Sequence, residues 1–309
     1  MTQKLHLSVS PHIHSNNSVQ AIMLDVIIAL LPATIAGTII FGFRALLIVG
    51  VCIFTCLAGE GIFNMLTKRE QSIKDLSAVV TGLILALNIS VNIPIWQAVI
   101  GSIFAIIIVK CLFGGIGNNI VNPAATARVF MLIAFGSMAK SAFPVGVDAT
   151  SSATPLVEAA NGTVPDLMTL FLGKHGGAIG ETCAAALLLG GVYLLVKRVI
   201  SWHIPFAFIG TVFVFTLLLN QFDITAATAA ILSGGLFIGA FFMATDYVTS
   251  PATPLGKIIF GLLAGIITVL IRSWGVYPEG VSFAILLLNI LNPYIESCTA
   301  RKVFGRNKA

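Results

Sequence analysis

Residues 21–43 read AIMLDVIIALLPATIAGTIIFGF, an apolar run whose one charge is Asp25. A helix needs about 20 such residues to cross the hydrocarbon core of a bilayer. Pro32 lies inside the run, Gly42 and Arg44 close it, and no small-residue cleavage site follows. It is therefore expected to belong to the body of the protein rather than to a removable signal. Runs of this kind recur as far as Ile295. Of the 309 residues 57% are hydrophobic and 9% charged, where soluble domains carry about a quarter charged residues. That balance excludes an ordinary soluble domain and predicts an all-α polytopic membrane protein.

Reading apolar runs between charged or turn-forming breaks predicts ten transmembrane helices, at 21–43, 45–66, 76–92, 95–113, 120–138, 181–197, 203–220, 224–243, 255–273 and 279–298. The chain then divides into an N-terminal segment, 1–20, and a first transmembrane half, 21–138. A long polar loop, 139–180, leads to a second half, 181–298, and a basic tail, 299–309. With the N-terminus inside, twelve Lys or Arg fall on the inner side and four on the outer (Arg44, Lys140, Lys174 and Arg272). That bias predicts cytoplasmic termini and an extracytoplasmic 139–180 loop in a cell membrane. The charge of +5 sits at helix ends and is no nucleic-acid signal.

The halves echo each other. T-G-L-I-L-A-L-N, an apolar run ending in Lys110, a Gly/Asn loop and Asn122-Pro123 are answered by S-G-G-L-F-I-G-A, a run ending in Arg272, a Gly/Pro loop and Asn292-Pro293. Five spans per half predict two inverted five-helix repeats, an architecture that commonly places a site among broken helices at the repeat interface. The expected breaks are 88–94 with 246–254, and 114–123 with 275–280.

Several residues stand out within this frame. The five cysteines and five histidines have no metal-ligand spacing, so no metal site is expected. Asn119 and Asn122 lie i, i+3, which puts both amides on one face at the start of the fifth span, with Pro123 fitting a first helical turn and Asn122 its cap. A cap accounts for Asn122 but not for Asn119, and two amides together suit the donor and acceptor edge of an isoalloxazine or quinone ring. Arg128, placed about two turns into the fifth helix, is the one basic residue well inside a predicted span. It suits a phosphate, a flavin carbonyl or a carboxylate, or else snorkels to an interface. Asp25 and Asp246 are the acidic counterparts near span ends. In the long loop, Asp148-Ala149-Thr150-Ser151-Ser152-Ala153-Thr154-Pro155 has no apolar face to bury. It reads either as a Ser/Thr-rich turn or as a segment that lets a large planar or phosphorylated group approach the backbone.

That last run resembles the Asp-x-x-Ser-Gly/Ser-Ala-Thr flavinylation motif, which makes Thr154 the expected carrier of FMN through a phosphoester bond, with Asp148 and Ser152 as motif members. The whole chain resembles the family of the D subunits of the Rnf ferredoxin:NAD oxidoreductase complex and the B subunits of the sodium-pumping NADH:quinone oxidoreductase. The resemblance rests on Ser8-Val9-Ser10-Pro11-His12-Ile13, Ile108-Val109-Lys110, the Gly114–Pro123 loop, the flavinylation motif and Ile179-Gly180-Glu181-Thr182-Cys183. The short N-terminal segment and Ser-Ser-Ala-Thr-Pro favour the D-type branch. The resemblance implies covalent FMN on the outer side, attached by an exported flavin transferase, and a non-covalent riboflavin contacted by Asn119 and Asn122. It also implies electrons passing from a flavin on the G subunit, coupled to export of Na+ or H+. No side chain is expected to be catalytic, since one-electron chemistry belongs to the isoalloxazine. A ten-helix transporter or solute channel fits the spans and breaks but gives no reason for the Thr154 motif.

Thr154→Ala, expressed with the flavin transferase, is expected to give a denatured gel band without flavin fluorescence while still inserting. A fluorescent band would place the attachment elsewhere.

Overall fold

The computed structural model describes residues 18–69, 71–136, 142–144, 166–173, 175–275 and 279–300. Thr154, Ser152 and Asp148 lie outside them. Among the described residues the chain is helical, with one isolated backbone bridge between Ala142 and Gly177. The helices are α1 (Val19–Phe41), α2 (Phe43–Leu66), α3 (Ser77–Leu87), α4 (Ile95–Ile103, continued as a π-helix over Phe104–Cys111) and α5 (Pro123–Ala134). A short α6 (Leu167–Leu172) precedes α7 (Ala184–Val196), α8 (His203–Leu219) and α9 (Ile224–Leu232). The last three are α10 (Leu236–Ile238, continued as π-helix over Gly239–Met243), α11 (Pro254–Trp274) and α12 (Val281–Thr299).

Every expected span contains helix, but not ten helices of spanning length. Among the described residues four, α1, α2, α11 and α12, are long and apolar enough to cross a bilayer. A fifth arises if α9 and α10, bent by 62°, count as one broken span. The expected span 76–92 stops at Leu87, where Asn88 turns back to its own helix and its Nδ2 donates to Ile84 O at 2.7 Å. The expected span 120–138 shrinks to Pro123–Ala134 because Asn122 is an extended cap and not a helical residue. The span 224–243 is interrupted at Ser233-Gly234-Gly235, whose glycines adopt φ of 74° and 65°, a conformation that costs glycine little and other residues much.

That break would strand the last carbonyls of α9. Arg272 of α11, counted from sequence as an outer-side charge, meets them instead. Its guanidinium donates to Ala230 O at 2.7 Å, Ser233 O at 3.0 Å and Gly234 O at 3.1 Å. A cation at a helix C-terminus is also favoured by the helix dipole.

Small residues set the helix contacts, as expected where backbones must approach closely without a hydrophobic driving force. A Cβ at Gly190 of α7 would lie 2.0 Å from Ala29 O of α1, and one at Gly82 of α3 would lie 2.9 Å from Cys52 O of α2. Gly261 and Gly265 of α11 seat Ala207 and Thr211 of α8 in the same way. Around these contacts one core runs from Leu30 and Leu85 to Phe208 and Phe260.

Gly190→Ala should therefore separate α1 from α7 and lower the thermal midpoint of the solubilised protein, at a cost of about 1–3 kcal/mol. Gly50→Ala, where an added Cβ meets nothing within 4 Å, should leave the midpoint unchanged or raise it.

Candidate functional site

The Gly114–Pro123 stretch is the pivot of the site. Gly114, Gly115 and Gly117 take φ of 118°, 90° and 89°, which reverses the chain after α4 and returns it as a loop to α5. Asn119 lies in that loop and not on the helix, so the expected shared helix face of Asn119 and Asn122 does not form. Both asparagines line one cavity instead.

This cavity, of about 400 Å³, lies between α1, α3, the ends of α4 and α7, and the α10–α11 connection. Its volume is within the range of small-molecule sites, about 300–1,000 Å³. Met23, Val26, Ile84 and Phe242 supply apolar wall, while Asn119, Asn122, Lys110, Ser77 and Asp246 supply polar groups. Two π-helical segments contribute to the lining: Lys110 belongs to Phe104–Cys111, and Phe241 and Phe242 to Gly239–Met243. Such widened turns shift side chains relative to an α-helix and recur at functional sites.

The two asparagines differ in what they offer. Asn122 Oδ1 accepts from Ala124 N at 3.0 Å and Ala125 N at 3.1 Å, and its Nδ2 donates to Met243 O at 3.2 Å. Its amide is already used, as the cap of α5 and as a tie to the end of α10. Asn119 Oδ1 is buried and has no hydrogen-bond partner in the described structure. A buried acceptor left alone costs about 1–3 kcal/mol, so this oxygen suits an N–H donor on a bound molecule.

Asp246 also lines the cavity, and its carboxylate accepts from Thr249 Oγ1 at 3.3 Å and Val248 N at 3.5 Å. Asp25, by contrast, points to α7, where Tyr193 OH donates to its Oδ1 at 2.8 Å.

Arg128 does not line the cavity. It is 3% exposed, and its guanidinium donates to Asn88 Oδ1 at 2.5 Å, pairs with the Glu279 carboxylate and lies 3.7 Å from Glu181 Oε2. Of the partners open to it from sequence, the structure selects carboxylates, and burial rules out snorkelling. A phosphate or flavin role for Arg128 gains no support from this geometry.

A second buried pair escapes the sequence reading. Glu60 of α2, 1% exposed, accepts from Lys110 Nζ at 2.9 and 3.0 Å, and Lys110 is 2% exposed. The signal is legible: Glu60 is the one acidic residue in the 45–66 run, and an acid at membrane depth is a functional candidate by default. The positive-inside count uses Lys110 only as an inner-side charge, and its burial adds a role beyond that count.

The model of the NQR2, RnfD, RnfE family matches residues 6–305. The chain belongs to this family. It is 44% identical over 310 residues to the D subunit of the Na(+)-translocating ferredoxin:NAD(+) oxidoreductase complex of Acetobacterium woodii, covering 98% of this chain and 96% of the relative. It is 39% identical over 323 residues to the proton-translocating counterpart of Clostridium ljungdahlii, again covering 98% and 96%. The D subunit of the ion-translocating oxidoreductase complex of Aliivibrio salmonicida is 35% identical over 348 residues, with 98% and 99% covered.

Lys110→Met leaves the Glu60 carboxylate buried without its cation and is expected to cost about 3–5 kcal/mol. Adding Glu60→Gln should recover much of that loss. Thermal unfolding of the single and double variants in detergent checks this.

Proposed function

We propose that this chain is the membrane-embedded D-type component of an ion-translocating ferredoxin:NAD+ oxidoreductase complex, holding riboflavin non-covalently in the Asn119 cavity and FMN on Thr154. The observation that carries the cavity assignment is Asn119, which lines a space of ligand size and whose Oδ1 is buried without a hydrogen-bond partner. Full-length similarity to subunits named for ferredoxin:NAD(+) oxidoreductase supports the complex and the reaction class. The Asp148–Thr154 run supports the covalent flavin.

In this reading a bound isoalloxazine supplies the electron-transfer chemistry, and the chain supplies position, dryness and charge. Asn119 would accept from an N–H of the bound group. Asn122 fixes the wall by tying α5 to the end of α10, and Phe242, Ile84 and Val26 would keep water from it. The ten short and long spans form two five-helix halves across the cell membrane, with both termini in the cytoplasm and the Thr154 loop outside. Electrons arrive from a flavin on the G subunit, an exported flavin transferase completes the protein, and Na+ or H+ is the translocated ion. The transporter reading leaves the Thr154 motif without a role.

Asn119→Leu tests the cavity without disturbing the α5 cap that Asn122 provides. Loss of one bonded edge is worth about 1–3 kcal/mol, so riboflavin affinity should fall by about 5- to 150-fold. Acid extraction of the purified variant should recover less riboflavin while covalent FMN stays unchanged. Undiminished riboflavin in a folded variant would remove it from this cavity.

A further inference from the structure

The polar end of the cavity continues beyond its lining. Lys110 and Ser77 both border the cavity, and Lys110 Nζ donates to Ser77 Oγ at 2.6 Å. Ser77 Oγ donates in turn to Asp75 Oδ1, also at 2.6 Å. Asp75 closes the 3-10 turn Ile73–Asp75 between α2 and α3 and is half-buried, with part of its surface open to solvent. These short bonds form an unbroken hydrogen-bonded line from cavity to protein surface.

Structural roles account for only part of this line. Asp75 Oδ1 accepts from Ser77 N, the first amide of α3, at 3.0 Å, and that bond needs no hydroxyl on residue 77. Glu60 neutralises Lys110 through two of the ammonium's three donors. The third donor goes to a hydroxyl that borders the cavity and passes its own proton to a carboxylate reaching the surface.

We propose that Lys110, Ser77 and Asp75 carry protons between the protein surface and a ring bound in the cavity, with Glu60 holding Lys110 in place. This rests on the flavin reading of the cavity. When a reduced ring gives two electrons to a neighbouring flavin, it releases one proton if anionic and two if neutral. Lys110 passes an ammonium proton to Ser77 Oγ as Ser77 passes its hydroxyl proton to Asp75. Lys110 then takes the ring proton, and Asp75 releases its proton to water. Reduction by a flavin donor runs the same transfers backwards.

Other charged and titratable groups surround Lys110. Glu60 and Cys56 face it from α2, and Cys111 follows it on α4. Arg69, in the α2–α3 connection, donates to Cys111 O at 3.1 Å, and Asp246 borders the same cavity. Glu60 also accepts from Ser72 Oγ at 2.6 Å, which offers a branch that the experiment must separate.

The full-length chain loaded with riboflavin is reduced and mixed with ferricyanide in a stopped-flow device. Flavin absorbance follows the electrons and a pH indicator follows the protons. In the unmodified protein proton release should keep step with oxidation. In Ser77→Ala and in Asp75→Asn it should lag by about 100-fold, the scale of a lost proton-transfer group. Ser77→Thr should restore it, and Ser72→Ala should leave it in step. In-step release in both Ser77→Ala and Asp75→Asn, or a lag in Ser72→Ala, overturns the proposal. Asn119→Leu separates the two readings. If it retains riboflavin, the cavity assignment fails and the relay falls with it. If it loses riboflavin while the relay variants stay in step, the relay alone fails.

Discussion

A helix interrupted inside apolar surroundings must find partners for the backbone groups it exposes, because no water is there to take them. That constraint organises this protein. Asn88 ends α3, Asn122 begins α5, and Arg272 collects the carbonyls at the end of α9. Each is a long-range tie as well as a cap: Asn88 receives Arg128, Asn122 holds Met243 O, and Arg272 joins α11 to the α9 break. One of these interruptions borders the cavity: Asn122 and the first turn of α5 line it together with Phe241 and Phe242 near the end of α10.

The same logic governs charge. Ionised side chains at this depth are tolerated when paired and hydrogen-bonded. Glu60 with Lys110 and Arg128 with Glu279 meet that condition, and Glu181 Oε2 adds a nearby charge 3.7 Å from Arg128. The first pair borders the cavity through Lys110, whereas the second lies apart from it and fastens α5 to the segments that precede α7 and α12. Family membership adds what packing alone cannot, the class of complex in which such a site operates.

Helix positions are largely legible in the sequence, since the long apolar runs of α1, α2, α11 and α12 announce themselves by length. The interruptions are less so. Asn88-to-Pro94 and Gly114-to-Pro123 carry the residues that break helices, yet Ser233-Gly234-Gly235 sits in a run that stays free of charge. Only the positive φ of two glycines and a distant arginine define that break. Asn119 and Asn122 stand out by type, but their division of labour depends on one of them leaving the helix. Spacing along a chain does not reveal that. Arg128 is recognisable as a buried charge, while its carboxylates lie 53 and 151 residues away in sequence and have no local signature.

Met243 occupies an unusual position in this network. Its carbonyl is tied to Asn122 and its sulfur to Asn88, whose oxygen is bonded to Arg128. Phe242, the adjacent residue, forms part of the cavity wall. A displacement of that wall by a bound molecule therefore acts on a lever with two arms. One arm pulls on the first turn of α5. The other pulls on the amide that orients the Arg128 guanidinium between its two acids. The cavity wall and the distant ion cluster are thus joined by an unbroken chain of bonded contacts through a single methionine.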